Sequence, residues 1–218
     1  LGMSATTTVR WGIAGVGVAG RARARAIHAD PRATLVAGWR GRPEDVDCPR
    51  VDDFDALLGD DIDAVAVCTP DDTHPALVRR ALAAGKHVVC EFPLAGSAAE
   101  AATLFAGAAA RDLVLHVEHI ELLSGAARWL RARRIGRRVL DGSVRFRTKL
   151  RPDTTSIAHA NVARLHRLLD VFGPVRTLQV RQRDDTHLVA HLTCAGPDGW
   201  TSTVELDVGQ EEGAQRRT

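Results

Sequence analysis

Apolar residues in the N-terminal half of the chain occur in short runs separated by stretches of helical character. Five such runs predict buried strands, at 9–14, 34–39, 63–68, 87–91 and 113–117. Helical patterns lie between these runs, at 20–29, 53–59, 74–84 and 97–111. Strands that alternate with helices are typical of a parallel sheet covered by helices on both faces. The pattern therefore predicts an α/β domain with a doubly wound parallel sheet.

The pattern changes after a further predicted helix at 122–134. Four later segments alternate apolar and polar residues, at 139–149, 175–183, 187–194 and 200–208. Alternation of this kind is typical of strands with one face in water, and a helix predicted at 157–172 interrupts them. We expect a second domain of the α+β class, with a mostly antiparallel sheet that carries a helix on one face and a boundary near residue 122.

A glycine-rich turn follows the first predicted strand and precedes a helix. Its glycines hold the GxGxxG spacing, in which one permits the tight turn, one lets the backbone approach a pyrophosphate, and one lets the helix pack on the strand. Glycine turns also occur as purely structural connections, but this context predicts a dinucleotide-binding domain at residues 1–122. The residues assigned to the turn are Gly15, Val16, Gly17, Val18, Ala19 and Gly20.

The end of the second predicted strand indicates which dinucleotide is bound. An acidic residue at this place would bind the ribose 2′-hydroxyl of NAD. The chain instead has Trp39, Arg40 and Arg42, and guanidinium groups suit the 2′-phosphate of NADP. NADP (NADPH) is therefore the favoured cofactor, and NAD is the alternative. The other interpretation of the two arginines is that they are ordinary solvated surface residues.

The composition restricts the remaining classes of function. Among 218 residues, 29 basic side chains nearly balance 27 acidic ones, so a nucleic-acid partner is not expected. No segment has the length of a transmembrane helix or the pattern of a signal peptide, and no membrane partner is expected. The four cysteines form no CxxC pair, which favours free thiols in the reducing cytoplasm over a zinc site or a disulfide framework.

Two further turns carry a resemblance to a known family. They are CTPDDTH at 68–74 and AGKHVVCEFPL at 84–94. Together with the glycine turn, their order resembles the family of glucose-fructose oxidoreductases and inositol 2-dehydrogenases, in which a TPN-type turn ends one strand and AGKHVxxEKP ends the next. The resemblance implies a Rossmann-type fold, a small-molecule substrate and further cofactor contacts. These contacts are expected from Cys68, Thr69, Pro70, His74, Glu91, Phe92 and Pro93.

Two departures from the family pattern bear on the chemistry. Asp71 replaces the usual Asn of the TPN turn, and Phe92 replaces the usual Lys of EKP. In the family that lysine lies near the nicotinamide and often assists proton transfer to a sugar hydroxyl. Because a phenyl ring neither donates nor accepts this proton, oxidation of a sugar by the family's common mechanism is not predicted.

One branch of the family, the biliverdin reductases, also lacks the lysine, with EYP at this turn. The segment LHVEHIELL at 115–123 is similar to their LHxEHxELL stretch, and GSVRF at 142–146, Arg164 and DVFG at 170–173 are further matches. The resemblance implies an NADPH-dependent reductase that delivers hydride to a conjugated carbon or imine-like acceptor, biliverdin or a related compound. The alternative is a catalytically altered, non-redox member that binds a nucleotide or another ligand.

The same resemblance assigns catalytic positions to Arg164, Glu91 and Phe92. Arg164 would face the nicotinamide and the tetrapyrrole, where an arginine holds a propionate or helps to protonate a pyrrole nitrogen. The alternative for Arg164 is a helix-surface residue paired with an acidic neighbour. The FGFP-like turn of biliverdin reductases is replaced by TTSI at 154–157, which implies a different wall on the substrate side.

The chain stops at Thr218, before the last strands and the terminal helix that the family normally has. Residues 123–218 are therefore expected to form a shortened sheet domain that supplies substrate and oligomer contacts. A shortened sheet leaves an edge strand unpaired, and a second subunit is the obvious cover. The expected assembly is a homodimer through this sheet. The residues suggested for its apolar contacts are Val180, Leu188, Leu192 and Val204.

Two pairs of histidines are candidates for metal ligands or for acids. His116 and His119 bracket Glu118, but residues three apart on a strand point to opposite faces, so packing roles are expected and no metal site is predicted. His159 and His166 share one face of the predicted helix that carries Arg164. Either is an acid or a solvated helix residue, and the second interpretation is favoured.

Overall fold

The computed structural model describes residues 8–41, 46–134, 139–148, 162–183, 187–196 and 199–210. The chain divides into two compact units, Leu1–Glu118 and His119–Thr218. The roles that the sequence assigns to the two domains stay predictions. No helix in these ranges is long and apolar enough to cross a membrane.

The first unit is built on a six-stranded parallel sheet. Its strands are β1 (Val9–Ala14), β2 (Ala33–Trp39), β3 (Arg50–Val51), β4 (Ala64–Val67), β5 (His87–Cys90) and β6 (Leu115–Val117). Its helices are α1 (Val18–Ala29), α2 (His74–Ala83) and α3 (Ala98–Ala109), with short 3-10 turns at Asp55–Leu58 and Asp71–Thr73. The strand order is β3-β2-β1-β4-β5-β6, with every neighbouring pair parallel. This confirms the Rossmann-type doubly wound sheet, with its switch point between β1 and β4.

The central strand β4 shows why the N-terminal strands have continuous apolar sequences. Val65 and Val67 belong to the same buried cluster as Leu77 of α2, whereas Ala66 belongs to the cluster that contains Ile27 of α1. Because successive residues of a strand point to opposite faces, the two clusters lie on opposite sides of the sheet. Helices therefore cover both faces of the sheet, and every residue of β4 is buried.

Two local features of the first unit differ from the sequence prediction. The helix predicted at 53–59 is a single 3-10 turn, where the Asp53 carboxylate accepts from the amide of Ala56 and the turn ends before Gly59. Strand β3 was not predicted, because two residues are too short to show a periodic pattern.

The second unit contains a four-stranded sheet in the order β7-β10-β9-β8. Its elements are α4 (Ile120–Leu123), α5 (Gly125–Arg134), β7 (Asp141–Thr148), α6 (Val162–Phe172), β8 (Val175–Arg183), β9 (His187–Ala195) and β10 (Thr201–Gln210). The β8-β9 and β9-β10 pairs are antiparallel and the β10-β7 pair is parallel, which confirms the mostly antiparallel sheet. The helix predicted at 122–134 is two helices, separated at Ser124, whose hydroxyl accepts from the amide of Ala127.

Helix α6 packs on one face of this sheet. Phe172 belongs to a buried cluster with Leu192 and Val204, and Leu188 packs against the same cluster. Two of the residues suggested for subunit contacts, Leu192 and Val204, are therefore used inside the unit, whereas Val180 on the outer strand β8 is 50% exposed. The exposed apolar surface of the sheet is thus concentrated on β8.

Candidate dinucleotide and hydride-transfer site

Each glycine of the turn between β1 and α1 has its own steric role. Gly15 has a φ of +91°, and a Cβ there would lie 2.6 Å from the carbonyl oxygen of Cys68. At Gly20, a Cβ would lie 2.1 Å from the carbonyl oxygen of Gly15. A Cβ on Gly17 would meet nothing within 4 Å. The turn and the helix packing therefore require Gly15 and Gly20, and the space over Gly17 is open for a ligand.

The start of α1 fits an anion. Gly17 is the N-cap and supplies no side-chain hydrogen bond, and the first turn of the helix contains no acidic residue. Val18 and Ala19 begin the helix, and the buried Val16 anchors the turn, since its amide donates to the carbonyl of Arg40 at 3.0 Å. Uncapped amides and the helix dipole attract a phosphate here. The residues present therefore fit the pyrophosphate of a dinucleotide.

The carboxyl end of β2 presents a cation at the place expected for the ribose. The guanidinium carbon of Arg40 lies 4.4 Å from the centre of the Trp39 ring, and the Trp39 indole donates to the carbonyl of Asp52 at 3.2 Å. Arg40 has a φ of +57° and an exposed side chain. The sequence missed Arg50, which donates to the carbonyl of Gly41 at 3.3 Å and supports this turn. Arg42 lies outside the described residues.

The turns after β4 and β5 are joined by His74. Its side chain is fully buried, with Nε2 2.8 Å from the carbonyl oxygen of Thr69 and Nδ1 2.7 Å from the carbonyl oxygen of Pro93. Thr69 is buried and Pro70 is exposed beside it. One imidazole thus ties together the two turns that the resemblance assigns to the cofactor.

Phe92 lies in the turn that follows β5. Its ring is half-buried and packs against the main hydrophobic cluster of the first unit. The Phe92–Pro93 peptide bond is cis and Pro93 is buried. A phenyl ring at this place offers an apolar surface and no exchangeable proton.

Glu91 takes part in an ion cluster that the sequence did not reveal. Arg23 of α1 donates to Glu91 at 2.9 Å and lies 2.7 Å from Glu118, which follows β6. Burial opposes the charged form of Arg23, but hydrogen bonding with Glu91 and the charges of both carboxylates outweigh it and raise the pKa of Arg23. Cys68 lies nearby, and burial raises the pKa of its thiol to about 12, so the thiol is neutral.

The second unit holds Arg164, His119 and His166. The guanidinium carbon of Arg164 lies 5.8 Å from the centre of the Phe146 ring. The rings of His166 and His119 meet edge to face, with centres 4.6 Å apart. His159 and residues 154–157 lie outside the described ranges. The catalytic role of Arg164 stays a prediction.

The strand alternation predicted for His116 and His119 does not extend to His119. Strand β6 ends at Val117, and His119 is the residue before α4, so the alternation of a strand does not reach it. His119 packs against His166 instead. Among the residues that the structure describes, no group of three or more His, Cys, Asp or Glu side chains is arranged to hold a metal ion.

Known proteins with similar sequences are oxidoreductases. Mouse biliverdin reductase A is 34% identical over 184 residues, which are 79% of this chain and 62% of the mouse protein. Galactose 1-dehydrogenase of Pseudomonas fluorescens is 41% identical over 101 residues, which are 43% of this chain and 32% of that enzyme. The chain spans less than two thirds of the length of either relative.

Solved structures and a family model agree with these relatives. The crystal structure of biliverdin reductase from Synechocystis, in complex with biliverdin and NADP+, superimposes with a TM-score of 0.73 at 27% identity and covers 94% of this chain and 73% of that one. The model for an oxidoreductase family with an NAD-binding Rossmann fold, GFO/IDH/MocA, matches residues 9–119, which include the glycine turn and the turns after β4 and β5. The chain belongs to this oxidoreductase family.

Proposed function

We propose that this chain is an NADPH-dependent reductase that delivers hydride to a conjugated carbon or imine-like acceptor, biliverdin or a closely related compound. The observation that carries the proposal is Phe92, which occupies the position of the family's proton-carrying lysine and offers only an apolar ring. Oxidising an alcohol requires removal of a hydroxyl proton, whereas a flat conjugated acceptor benefits from an aromatic surface. Similarity to biliverdin reductases supports the same choice.

The preference for NADPH rests on the end of β2. Arg40 is exposed there, and its guanidinium stacks on the ring of Trp39. Because stacking already restricts this side chain, binding of a phosphate costs less conformational entropy. Arg40 lies where an acidic residue would select NAD. When bound, the reduced nicotinamide supplies the hydride. The chain supplies the pyrophosphate turn, the contact to the 2′-phosphate and the apolar wall at Phe92.

The proposed role of Arg164 is to bind a carboxylate of the substrate. A guanidinium group can form paired hydrogen bonds to a carboxylate such as a propionate. The Arg164 side chain also contacts the ring of Phe146. The proposed catalytic roles of Glu91 and Phe92 concern the nicotinamide and rest on the first unit alone.

Cofactor binding and reduction are measured separately. Trp39 is one of four tryptophans, so NADPH binding is followed by the fluorescence change that is lost in Trp39→Phe. Biliverdin is then added, and the absorbance of the reduced nicotinamide is recorded with and without protein. The proposal expects saturable binding followed by biliverdin-dependent loss of absorbance. Binding without reduction of biliverdin favours the second candidate, a non-redox ligand-binding member, and absence of nucleotide binding excludes both dinucleotide-based proposals.

We also propose a homodimer formed through the sheet of the second unit. Its edge strand β8 exposes Leu178 and Val180, which face the same side as the buried Leu192 and Ala190. A stable interface of this kind buries about 2,000 Å² or more. Light scattering at low micromolar concentration is the test, and a folded monomer whose melting is independent of concentration contradicts it.

The proposed location is the cytoplasm. All four cysteines are free, and Cys90 and Cys194 are buried in the two hydrophobic cores. Free thiols fit a reducing compartment. Fractionation of the source cells, followed by detection of the protein, tests this location.

A further inference from the structure

Three charged side chains meet where strands β5 and β6 end. The Arg23 guanidinium binds the carboxylates of Glu91 and Glu118, at 2.9 Å and 2.7 Å. The side chains are 26%, 23% and 12% exposed, so the group is largely shielded from water. Two carboxylates share one guanidinium, which gives the cluster a formal charge of −1.

The cluster lies at the carboxyl ends of β5 and β6. In a sheet of this order the dinucleotide crosses the switch point between β1 and β4, at the carboxyl ends of the strands. The glycine turn and the Trp39–Arg40 pair would place the adenosine half of a dinucleotide over β1 and β2. Its nicotinamide half would then lie over β4, β5 and β6. Glu91 and Glu118 are the first residues after the last two of these strands.

We propose that the Arg23–Glu91–Glu118 cluster favours the oxidised, cationic nicotinamide over the reduced, neutral one, and so makes the bound reduced ring a stronger hydride donor. Hydride transfer breaks one C–H bond of the ring together with its electron pair and forms one C–H bond at the acceptor. It leaves a positive charge on the ring and a negative charge on the acceptor, which takes up a proton from the solvent. A nearby net negative charge stabilises the cationic ring and leaves the neutral reactant almost unaffected. This inference rests on the proposed function.

Arg23 is a positioning residue in this arrangement. Without it, two neighbouring carboxylates would repel each other and move apart. The guanidinium offsets this repulsion and holds both carboxylates beside the strand ends. Cys68, the neighbouring thiol, adds no charge because its pKa is raised by burial.

The test compares the affinities of the protein for NADP+ and NADPH. In Glu118→Gln the cluster becomes neutral, and the ratio Kd(NADP+)/Kd(NADPH) is expected to rise about three- to tenfold, as for a unit charge removed near the ring in a partly shielded site. A tenfold change in this ratio equals about 30 mV for a two-electron couple. Glu91→Gln provides a second variant, because it also removes one charge and its carboxylate is more exposed than that of Glu118.

The matched control is Glu100→Gln, which removes an exposed carboxylate from α3 of the same unit. If the cluster had only a structural role, the cluster variants would bind NADP+ and NADPH more weakly by the same factor, and the ratio of the two dissociation constants would not change. An unchanged ratio in both cluster variants, with both cofactors still bound, overturns the inference, as does failure of the unmodified protein to bind either cofactor. A shifted ratio in a protein that does not reduce biliverdin supports the inference and contradicts only the proposed substrate.

Discussion

A Cβ atom on Gly20 would lie 2.1 Å from the carbonyl oxygen of Gly15. The first turn of α1 is therefore packed directly on the chain reversal that follows β1, and neither glycine tolerates a side chain. Gly17, which lies between them in sequence, faces open space and has a φ of −82°, which any residue adopts. An experiment can therefore distinguish Gly15 and Gly20, which maintain the fold, from Gly17, which is proposed to contact the cofactor.

Gly17→Ala is expected to leave the melting temperature unchanged and to weaken NADPH binding by tenfold or more. Its methyl group would fill the space in which the pyrophosphate approaches the backbone. Gly96→Ala is the matched control, because a Cβ there also meets nothing within 4 Å. Fluorescence titration gives both dissociation constants. Equal affinities in the two variants would show that the space over Gly17 is not the pyrophosphate site.

Arg40→Ala is expected to weaken NADPH binding by about 1.5–3 kcal/mol and to leave NADH binding almost unchanged. The change removes a charge-assisted contact to the 2′-phosphate, a group that NADH lacks. Arg32→Ala is the control, because Arg32 precedes β2 at its opposite end and pairs with Asp30. Titrations with both cofactors are compared, and an equal loss for NADPH and NADH contradicts the assignment of Arg40.

Phe92→Lys tests the role of the apolar ring. The variant is expected to bind biliverdin more weakly, since it places a charge where the acceptor meets an apolar surface, and to gain no reductase activity. Phe105→Lys, at a partly exposed position on α3, is the control. Steady-state rates with biliverdin and with sugar alcohols are compared. A gain of sugar dehydrogenase activity without loss of reductase activity would count against the proposed stacking role.

The sequence predicted the framework of the site because each element has a strong local signal. The glycine spacing identified the turn, and the structure gives steric reasons for Gly15 and Gly20. Strand β8 is observed with the predicted bounds, Val175–Arg183. The replacement of the family's lysine by Phe92 was also visible in the sequence, because the residues around Phe92 match the family pattern closely.

Other features depend on contacts between distant parts of the chain. Arg23 is one of several arginines at alternating positions in α1, and nothing in its local sequence distinguishes it from Arg25, which is exposed. Its pairing with Glu118 becomes visible only when α1 and β6 are assembled. The parallel pairing of β7 with β10 was likewise hidden, because alternation of apolar and polar residues is the same in parallel and antiparallel strands.

Asp63→Asn is expected to lower the stability of the protein at pH 7 by about 1 kcal/mol, as for an exposed pair of good geometry. Hydrogen bonds from the side chain and the backbone of Arg10 lower the pKa of Asp63 to about 2 from its usual 3.8. Because the folded-state pKa lies below the unfolded-state value, this stabilisation is fully present above pH 3.8 and is lost as the pH falls toward 2.

Urea unfolding measured over this pH range provides the check. The difference between the unmodified protein and Asp63→Asn should disappear as the pH approaches 2, whereas the exposed Asp60→Asn should show little difference at any pH. A difference that persists below pH 2 would show that Asp63 stabilises the unit by packing and not through its charge.

Transfer of a labelled hydride tests directly whether the protein reduces biliverdin with NADPH. NADPH that carries deuterium at both hydrogen positions of the reactive carbon of the nicotinamide is incubated with the protein and biliverdin, and the product is analysed by mass spectrometry. If the protein is an NADPH-dependent biliverdin reductase, the reduced tetrapyrrole acquires a single deuterium at a formerly conjugated bridging carbon, and Gly17→Ala slows this incorporation. A product without the label, or no reduction of biliverdin by a protein that binds NADPH, would contradict this activity.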